Sequence, residues 1–242
     1  MQEWFDEIQR QFILNFINDN RWQFLLNGLL VTLRITFFAL LIGIIIGVVV
    51  AIVRSTFDKN INTIRNKSIR LLLRFLNAIC KIYLTVIRGT PVVVQLMIFY
   101  FIILVSIKNG ELIGIIAFGI NAGAYIAEIF RSGIMSIDNG QFEAGRSLGF
   151  NYIQTMQYII IPQAFKNILP TLANEFIVLL KETAVVGYVA VQDLTKAGDI
   201  IRGRTFSAFM PLIAVALVYL SLVMFFTWLV SILERRLRSS EH

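Results

Sequence analysis

Five long apolar runs, separated by polar segments, dominate the pattern of the chain. They cover about residues 24–53, 92–107, 112–130, 168–191 and 209–233. A helix needs about 20 apolar residues to cross the hydrocarbon core of a bilayer, and only the second run is clearly shorter than that. The pattern therefore predicts an all-α fold, a polytopic membrane helix bundle of about five transmembrane helices.

The first 21 residues follow a different pattern, in which apolar side chains occupy one side of a helix. Trp4, Ile8, Phe12 and Phe16 recur at every fourth position, and charged residues occupy the other faces. This spacing is typical of an amphipathic helix that lies in a membrane interface. The segment opens with acidic and aromatic residues instead of the basic residues of a signal peptide. We therefore expect an N-terminal interfacial helix over 1–21 and a transmembrane domain over 22–238.

A basic stripe precedes the second apolar run. Arg70, Arg74, Lys81 and Arg88 fall within about 40° of one helix face at 100° per residue. The stripe predicts a helix that runs along the membrane surface. The residues 89–91, Gly-Thr-Pro, predict a bend at its end, because proline has no backbone N–H to donate.

The composition excludes several classes of protein. With 57% hydrophobic residues, 15% charged residues and a mean hydropathy of +0.74, the chain is not a water-soluble enzyme domain. Cys80 has no second cysteine to pair with, and His242 is the terminal residue, where an expression remnant is as plausible as a ligand. We expect no metal site, no catalytic residue and no cofactor bound by this chain, which also has no phosphate-binding GxxxxGK[ST] loop.

The net charge of +7 follows from basic residues that flank the apolar runs. In that position they determine membrane topology, and we expect no nucleic-acid partner. If the N-terminus lies outside, the inner segments hold twice as many Lys and Arg residues as the outer ones. The positive-inside rule then predicts an outer N-terminus, a cytoplasmic C-terminus and a cytoplasmic segment 131–167.

This cytoplasmic segment holds a spaced motif. It reads EAGRSLG over 143–149, then nine residues, then IIIP over 159–162. Any helix-turn-helix between two spans would have a glycine at the turn and a proline before the next helix. A plain helix-turn-helix does not explain why Glu, Ala, Gly, Ile and Pro all stand at this spacing together. The motif resembles the EAA motif of permease subunits of ATP-binding cassette importers, with Gly145 at a usual alanine and Ile161 at a usual leucine. We expect a short helix, a turn at Gly149 and a second helix capped by Asn151.

Three further segments narrow the resemblance: VIRGTPVVVQL over 86–96, NAGAYIAEIFR over 121–131 and NEFIVLLKET over 174–183. They are similar to the polar amino acid branch of that family, the histidine, glutamine, arginine and cystine type permeases. The resemblance covers about 22–238 and implies a permease domain in a bacterial inner or plasma membrane. Its coupling loop extends over about 136–167.

The resemblance also implies the partners. These are a cytoplasmic ATPase dimer that binds ATP and Mg²⁺, an extracellular or periplasmic solute-binding protein, and a second permease, which is either another copy or a sister chain. The expected ATPase-coupling residues are Glu143, Ala144, Gly145, Arg146 and Gly149.

Charged residues inside apolar spans are costly, and they usually mark transport pathways or ion pairs. Glu175 lies near the middle of the fourth run, and Thr171 and Glu182 share its helix face. We hypothesise that Glu175 binds the ammonium group of an amino acid, with Thr171, Asn121 and Gln95 as further substrate-binding candidates. A cap on a broken helix, or an ion pair with a neighbouring helix, is the structural alternative for Glu175.

A second set of charged residues has a gating or structural role in this interpretation. Glu128 and Arg131 are three residues apart, a spacing that allows an ion pair on one helix. Snorkelling to the interface is enough to explain Arg88. The other members of the set are Lys181 and Glu182.

The sequence therefore predicts a permease subunit that imports a polar amino acid, with a basic one favoured by the single carboxylate, and that is itself no enzyme. A secondary amino acid transporter or a channel subunit is the alternative. Transporters of that class often carry internal repeats, and the first and last apolar runs show no convincing repeat.

Overall fold

A computed structural model describes residues 1–61 and 64–238, and throughout these residues the regular structure is helical. His242 lies outside them. The α-helices are α1 Gln2–Phe12, α2 Trp22–Asn60, α3 Lys67–Gly89, α4 Val92–Ile98, α5 Gly110–Met135, α6 Asn139–Ser147, α7 Tyr152–Thr155, α8 Ile161–Glu182, α9 Leu194–Thr205 and α10 Phe209–Arg238. The predicted all-α fold is confirmed.

The chain folds into two compact units. The first unit comprises Met1–Ala39, Val92–Phe118 and Ile177–Trp228. The second comprises Leu40–Pro91, Gly119–Phe176 and the described part of Leu229–His242. Helices α2, α5, α8 and α10 each contribute residues to both units.

Three of the described helices are long and apolar enough to cross a membrane: α2, α5 and α10. The pair α3 and α4, with the π-helical turn Phe99–Ile103 that extends α4, adds a fourth candidate span, which is bent by 110°. This bend lies where Gly89, Thr90 and Pro91 predicted it. Helix α8 carries Lys166, Glu175, Lys181 and Glu182, and its place as a fifth span stays a prediction.

The predicted fourth span differs from the observed helix at its C-terminal end. The apolar run was expected to continue to 191, but α8 ends at Glu182. The following residues, Thr183–Val189, form 3₁₀ turns. Two threonine hydroxyls hold this segment to α2 in the first unit, since the Oγ1 atoms of Thr36 and Thr183 lie 3.3 Å apart.

Helix α9, in the first unit, was not predicted. Asp193 caps its N-terminus, because the carboxylate accepts hydrogen bonds from the backbone N–H groups of Thr195 (3.1 Å) and Lys196 (3.0 Å). The backbone N–H of Leu194 donates to Thr32 Oγ1 at 3.1 Å. A Cβ atom on Gly28 would lie 2.6 Å from the carbonyl oxygen of Asp193. Thr32 and Gly28 therefore fix the start of α9 against α2.

The N-terminal segment is the amphipathic helix that its spacing predicted, and it is held in the first unit at its C-terminal end. Trp4 and Phe5 are exposed, while Asn15 in the π-helical turn after α1 is fully buried. The side chain of Asn15 accepts a hydrogen bond from Thr205 Oγ1 at 2.8 Å and donates to Ser207 Oγ at 3.3 Å. Its interfacial placement stays a prediction.

Small residues let α2 and α5 approach closely in the second unit. Cβ atoms on Gly43 and Gly47 would lie 3.0 Å and 2.6 Å from Ile126, and one on Gly123 would lie 2.9 Å from Ile46 and from Tyr83 Oη. Without a hydrophobic driving force between helices in lipid, such close van der Waals packing is what holds spans together.

The capping role of Asp193 leads to a prediction. Burial raises the pKa of this carboxyl, and the hydrogen bonds from the N–H groups of Lys196 and Thr195 oppose the rise. An acid whose pKa is raised in the folded state contributes less to stability as the pH rises through that pKa. Asp193→Ala should cost about 1 kcal/mol through loss of the cap, whereas Asp193→Asn keeps the cap and does not titrate.

Thermal unfolding of the detergent-solubilised chain tests this prediction. The Tm of Asp193→Asn relative to the wild type should increase from acid to neutral pH, and Asp193→Ala should melt below both at every pH. An Asn variant as unstable as the Ala variant, or a difference that does not change with pH, would contradict the assignment.

Candidate functional site

The motif 143–162 forms a helical hairpin in the second unit, as predicted. Helix α6 begins after Asp138, whose carboxylate accepts a hydrogen bond from the N–H of Gly140 at 2.6 Å. Gly149 has a φ of +83°, in the left-handed region that favours glycine. The next helix opens with a capping box, in which Asn151 and Gln154 exchange hydrogen bonds of 2.9 Å between side chain and backbone.

Gly145 departs from the usual alanine of the motif, and the structure gives the reason. It is the buried residue of α6, and a Cβ atom there would lie 2.7 Å from Thr155 Cγ2 and 2.8 Å from Thr155 Oγ1. A glycine therefore lets the two helices of the hairpin touch at this position. The other predicted coupling residues, Glu143, Ala144, Arg146 and Gly149, are exposed.

Large apolar side chains are also exposed on the hairpin. Leu148 is 72% exposed, Ile153 71% and Tyr158 63%. They stand beside the exposed charges of Glu143 and Arg146, and apolar groups rimmed by polar ones typically mark an interaction surface. We call Glu143, Ala144, Arg146, Leu148 and Ile153 the coupling surface.

A buried cluster ties the hairpin to the long helices of the second unit. It consists of Ile134, Ile137, Ile160, Ala164 and Ile168, with Phe142, Met156 and Ile159 packed against it. These residues come from α5, from the link between α5 and α6, from α6 and from the helix that follows the turn. The coupling surface therefore lies on a packed body and not on a loose loop.

The second helix of the hairpin continues into α8. Met156 follows directly after α7, and Ile161 follows directly after the π-helical turn Met156–Ile160. Both residues have right-handed helical backbone angles. The N–H of Ile161 donates to the carbonyl of Met156, five residues back. This turn changes the hydrogen-bond register just before Pro162, which has no N–H to donate. One helix thus extends from Tyr152 to Glu182.

The charged residues near the ends of α2, α3 and α5 form a network in the second unit. The predicted pair is present, with Arg131 Nε 3.0 Å from Glu128 Oε2. Arg131 Nη1 lies 3.7 Å from Asp58 Oδ2. Arg88 Nη1 lies 3.9 Å from Glu128 Oε1, and its guanidinium stands 5.6 Å from the ring centre of Tyr125.

Lys59 extends the contacts of α2 to the hairpin. Its Nζ donates to Asn139 Oδ1 at 2.9 Å and lies 4.3 Å from the ring centre of Phe142. Both partners belong to α6. The polar contacts at the end of α2, at Asp58 and Lys59, therefore involve both α5 and the coupling hairpin.

The substrate candidates are distributed over both units. Glu175 is half-buried on α8, and Thr171, one turn earlier, is exposed and donates to the carbonyl of Asn167 at 3.4 Å. Asn121 on α5 is 2% exposed. Gln95 on α4 is 6% exposed and belongs to the other compact unit. The structure groups Glu175, Thr171 and Asn121 in one unit, and a direct role for any of the four stays a prediction.

The two remaining gate candidates lie at the end of α8, in the first unit. Lys181 is exposed, and Glu182 is half-buried at the last helical position. Their proposed gating or structural role also stays a prediction.

Sequence reasoning missed a charged cavity on α9. This cavity of about 390 Å³ is lined by Ala184, Gly187, Tyr188, Thr195, Lys196, Asp199, Arg202 and Leu212. Asp199 accepts hydrogen bonds from Arg202 Nη2 at 2.5 Å and from Lys196 Nζ at 2.9 Å. Hydrogen bonds from Arg202, and secondarily from Lys196, lower the pKa of Asp199. The sequence signal that could have indicated this charged helix was the spacing of Lys196, Asp199 and Arg202, three residues apart after the capping Asp193.

Comparison with known proteins gives a family match over most of the chain. The model of the family "binding-protein-dependent transport system inner membrane component" matches residues 68–239. A putative glutamine transport system permease protein of Rickettsia bellii is 37% identical over 88% of this chain and 93% of the relative. An arginine transport system permease protein of Bacillus subtilis is 36% identical over 90% and 94%.

Solved structures match as well. The crystal structure of an amino acid ABC transporter with histidines has a TM-score of 0.78 and 38% identity, over 91% of this chain and 98% of that chain. Inward-facing structures of a methionine ABC transporter include one with a TM-score of 0.74 at 21% identity, which shows a shared fold.

The contact between Gly145 and Thr155 leads to a second prediction. Gly145→Ala should open the hairpin, because the new Cβ and Thr155 overlap, at a cost of about 1–3 kcal/mol. Thr155→Ala in the same chain removes both crowded atoms and should restore the structure. Protease resistance of the 139–162 hairpin in the solubilised chain measures this.

The exposed neighbour provides the control, since Ala144→Val adds bulk without a buried contact. Equal protease resistance of the wild type and of Gly145→Ala, or no recovery in the double variant, would show that the close contact does not hold the hairpin together.

Proposed function

The chain belongs to the binding-protein-dependent transport system inner membrane components, and from that membership we propose how it works in amino acid uptake. It is a multi-pass membrane protein and a permease subunit of an amino acid ABC transporter. The secondary transporter and channel alternatives have no support in this match. The observation that carries the mechanism below is the helical hairpin 139–162 with its exposed coupling surface.

We propose that the coupling surface docks into a separate cytoplasmic ATPase dimer, which binds ATP and Mg²⁺. The hairpin is suited to this because its exposed apolar side chains, Leu148 and Ile153, need a partner surface, while the cluster around Ile160 keeps the hairpin rigid. Glu143 and Arg146 would pair with charges on the partner. Docking of a rigid element transmits movement, whereas a flexible loop would absorb it.

The movement has a direct path toward the candidate substrate residues. One continuous helix begins at Tyr152 in the hairpin and includes Glu175, about 35 Å further on at 1.5 Å per residue. A rigid-body shift of the hairpin therefore displaces Glu175. Closure of the ATPase dimer would in this way change access to the substrate site from one side of the membrane to the other.

Glu175 is the proposed substrate contact. Its carboxylate is half-buried within a largely apolar helix, a position that usually marks a transport pathway or an ion pair. It would bind the ammonium group or a cationic side chain of a polar amino acid, with Thr171 and Asn121 of the same unit as hydrogen-bonding partners. Gln95 stays a separate substrate-binding candidate. The names of the glutamine and arginine relatives support a polar substrate of this kind.

We assign the solute-binding protein to the outer side of the membrane, opposite the ATPase. With the N-terminus outside, as the basic residues indicate, helix α9 and its cavity lie on the outer side. The half-buried Lys196 and the exposed Arg202 around Asp199 would pair with an acidic surface of that protein. A second permease, either another copy or a sister chain, would complete the assembly.

Ala144 gives the most direct mutational test of the coupling surface. Ala144→Trp should abolish ATP hydrolysis by the partner or uncouple it from transport, because the bulky side chain blocks docking. The substitution should not unfold the chain, because Ala144 is exposed. Transport and substrate-stimulated ATP hydrolysis in proteoliposomes measure the effect. Ala144→Ser, small at the same site, is the control. Normal uptake by the Trp variant would rule out docking at this surface.

Glu175 has its own test. Glu175→Gln removes the negative charge and should raise the KM for uptake about tenfold or more, since a charge-assisted hydrogen bond becomes a neutral one. Its Tm should stay near that of the wild type. Asn174→Gln, at the exposed neighbouring position on α8, is the control with near-normal uptake. A Glu175→Gln variant with normal KM, or one with a large loss of Tm, would favour the structural alternative.

A further inference from the structure

A second charged cavity, in the second unit, has no role in the mechanism described above. It has a volume of about 490 Å³ and lies among helices α2, α3 and α5. Its lining consists of Arg54, Lys81, Leu84, Thr85, Arg88, Gly89 and Glu128. Two members, Lys81 and Arg88, belong to the basic stripe of α3, and we call this cavity the basic pocket.

The charges of the basic pocket do not balance. Arg54, Lys81 and Arg88 contribute three cations, and Glu128 contributes the single carboxylate. Glu128 is already bound by Arg131 at 3.0 Å, so Arg88 reaches it only at 3.9 Å. The pocket therefore carries an excess of positive charge, which an anion would neutralise.

Arg54 adds an unused hydrogen-bond donor. In the part of the chain that the structure describes, its Nε is buried and has no hydrogen-bond acceptor. A buried donor without an acceptor is costly, and the planar guanidinium suits the oxygens of a phosphate. The unused donor and the excess charge indicate the same ligand chemistry, an oxyanion.

The depth of the pocket along α2 and α5 matches that of lipid headgroups. Arg34 Nη1 lies 3.1 Å from Glu111 Oε1, which places these residues of α2 and α5 at one level. Arg54 is 20 residues after Arg34 and Glu128 is 17 residues after Glu111, which is about 30 Å and about 26 Å of helix. The hydrocarbon core is about 30 Å thick and the bilayer with headgroups about 40–45 Å. The predicted orientation therefore places the pocket at the cytoplasmic headgroups.

We propose that the basic pocket binds the phosphate of an anionic phospholipid from the cytoplasmic leaflet. The phosphate accepts hydrogen bonds from Arg54, Lys81 and Arg88. Basic pockets between transmembrane helices on this side of a membrane are suited to such headgroups. Bound lipid competes with Glu128 for Arg88 and thereby acts on the ion network that includes Arg131 and Asp58.

The test counts lipids that remain bound to the transporter. The chain is purified with its partner subunits, stripped of lipid, and titrated with phosphatidylglycerol or with phosphatidylcholine, and bound lipid is measured by native mass spectrometry. We expect saturable binding of one phosphatidylglycerol per permease, with phosphatidylcholine much weaker. Lys81→Gln with Arg88→Gln should weaken phosphatidylglycerol binding about 30-fold, as expected for two cations removed near an anionic headgroup.

A matched control separates the pocket from the general charge of α3. Arg70→Gln with Arg74→Gln removes the same charge from the same stripe outside the pocket, and it should retain the bound lipid. If both double variants lose phosphatidylglycerol binding equally, the lipid is attracted by the general charge of α3 and the proposal is overturned. Failure of phosphatidylglycerol to bind at all would also overturn it.

Two further measurements distinguish other occupants of the pocket. Inorganic phosphate at equal ionic strength should leave the Tm of the stripped transporter unchanged. Stabilisation by phosphate that disappears in Lys81→Gln with Arg88→Gln would instead identify a free phosphate site and overturn the lipid proposal. The oligomeric state of that double variant should equal that of the wild type, and dissociation of the permease pair would assign the pocket to a second copy and overturn the lipid proposal.

Discussion

The absence of water from the bilayer core is the constraint on which this structure depends. Backbone groups there must be hydrogen-bonded internally, and the spans are accordingly long helices such as α2 and α10. Where the helical ladder is interrupted, a local device compensates. The π-helical turn Met156–Ile160 precedes Pro162, and the bend after Gly89 separates α3 from α4.

Charge is distributed under the same constraint. The network of Arg88, Glu128, Arg131 and Asp58 lies near the helix ends that the positive-inside rule places in the cytoplasm. It borders both the basic pocket and the contacts of Lys59 with the hairpin. Bound lipid and bound ATPase would therefore act on neighbouring groups. Glu175 is different, since it lies on the helix that continues from the hairpin, and this position makes it the candidate for recognition of the substrate.

Local signals determined which features the sequence could predict. Gly149, Asn151 and the residues Gly89–Pro91 act through their own backbone preferences, and the turn, the cap and the bend lie where expected. Contacts between distant residues could not be predicted in this way. The need for glycine at Gly145 depends on Thr155 across the turn, and the end of α8 at Glu182 involves Thr36 on α2. Helix α9 was missed because it is short and polar beside long apolar runs.

The central claim is that the 139–162 hairpin joins this permease to a separate ATPase. The most direct measurement is gentle extraction of the tagged chain from its native membrane, followed by quantitative mass spectrometry of the proteins that accompany it. The account predicts one ATPase copy for each permease copy, with two of each per complex. Purification of an intact permease with no stoichiometric ATPase would contradict it.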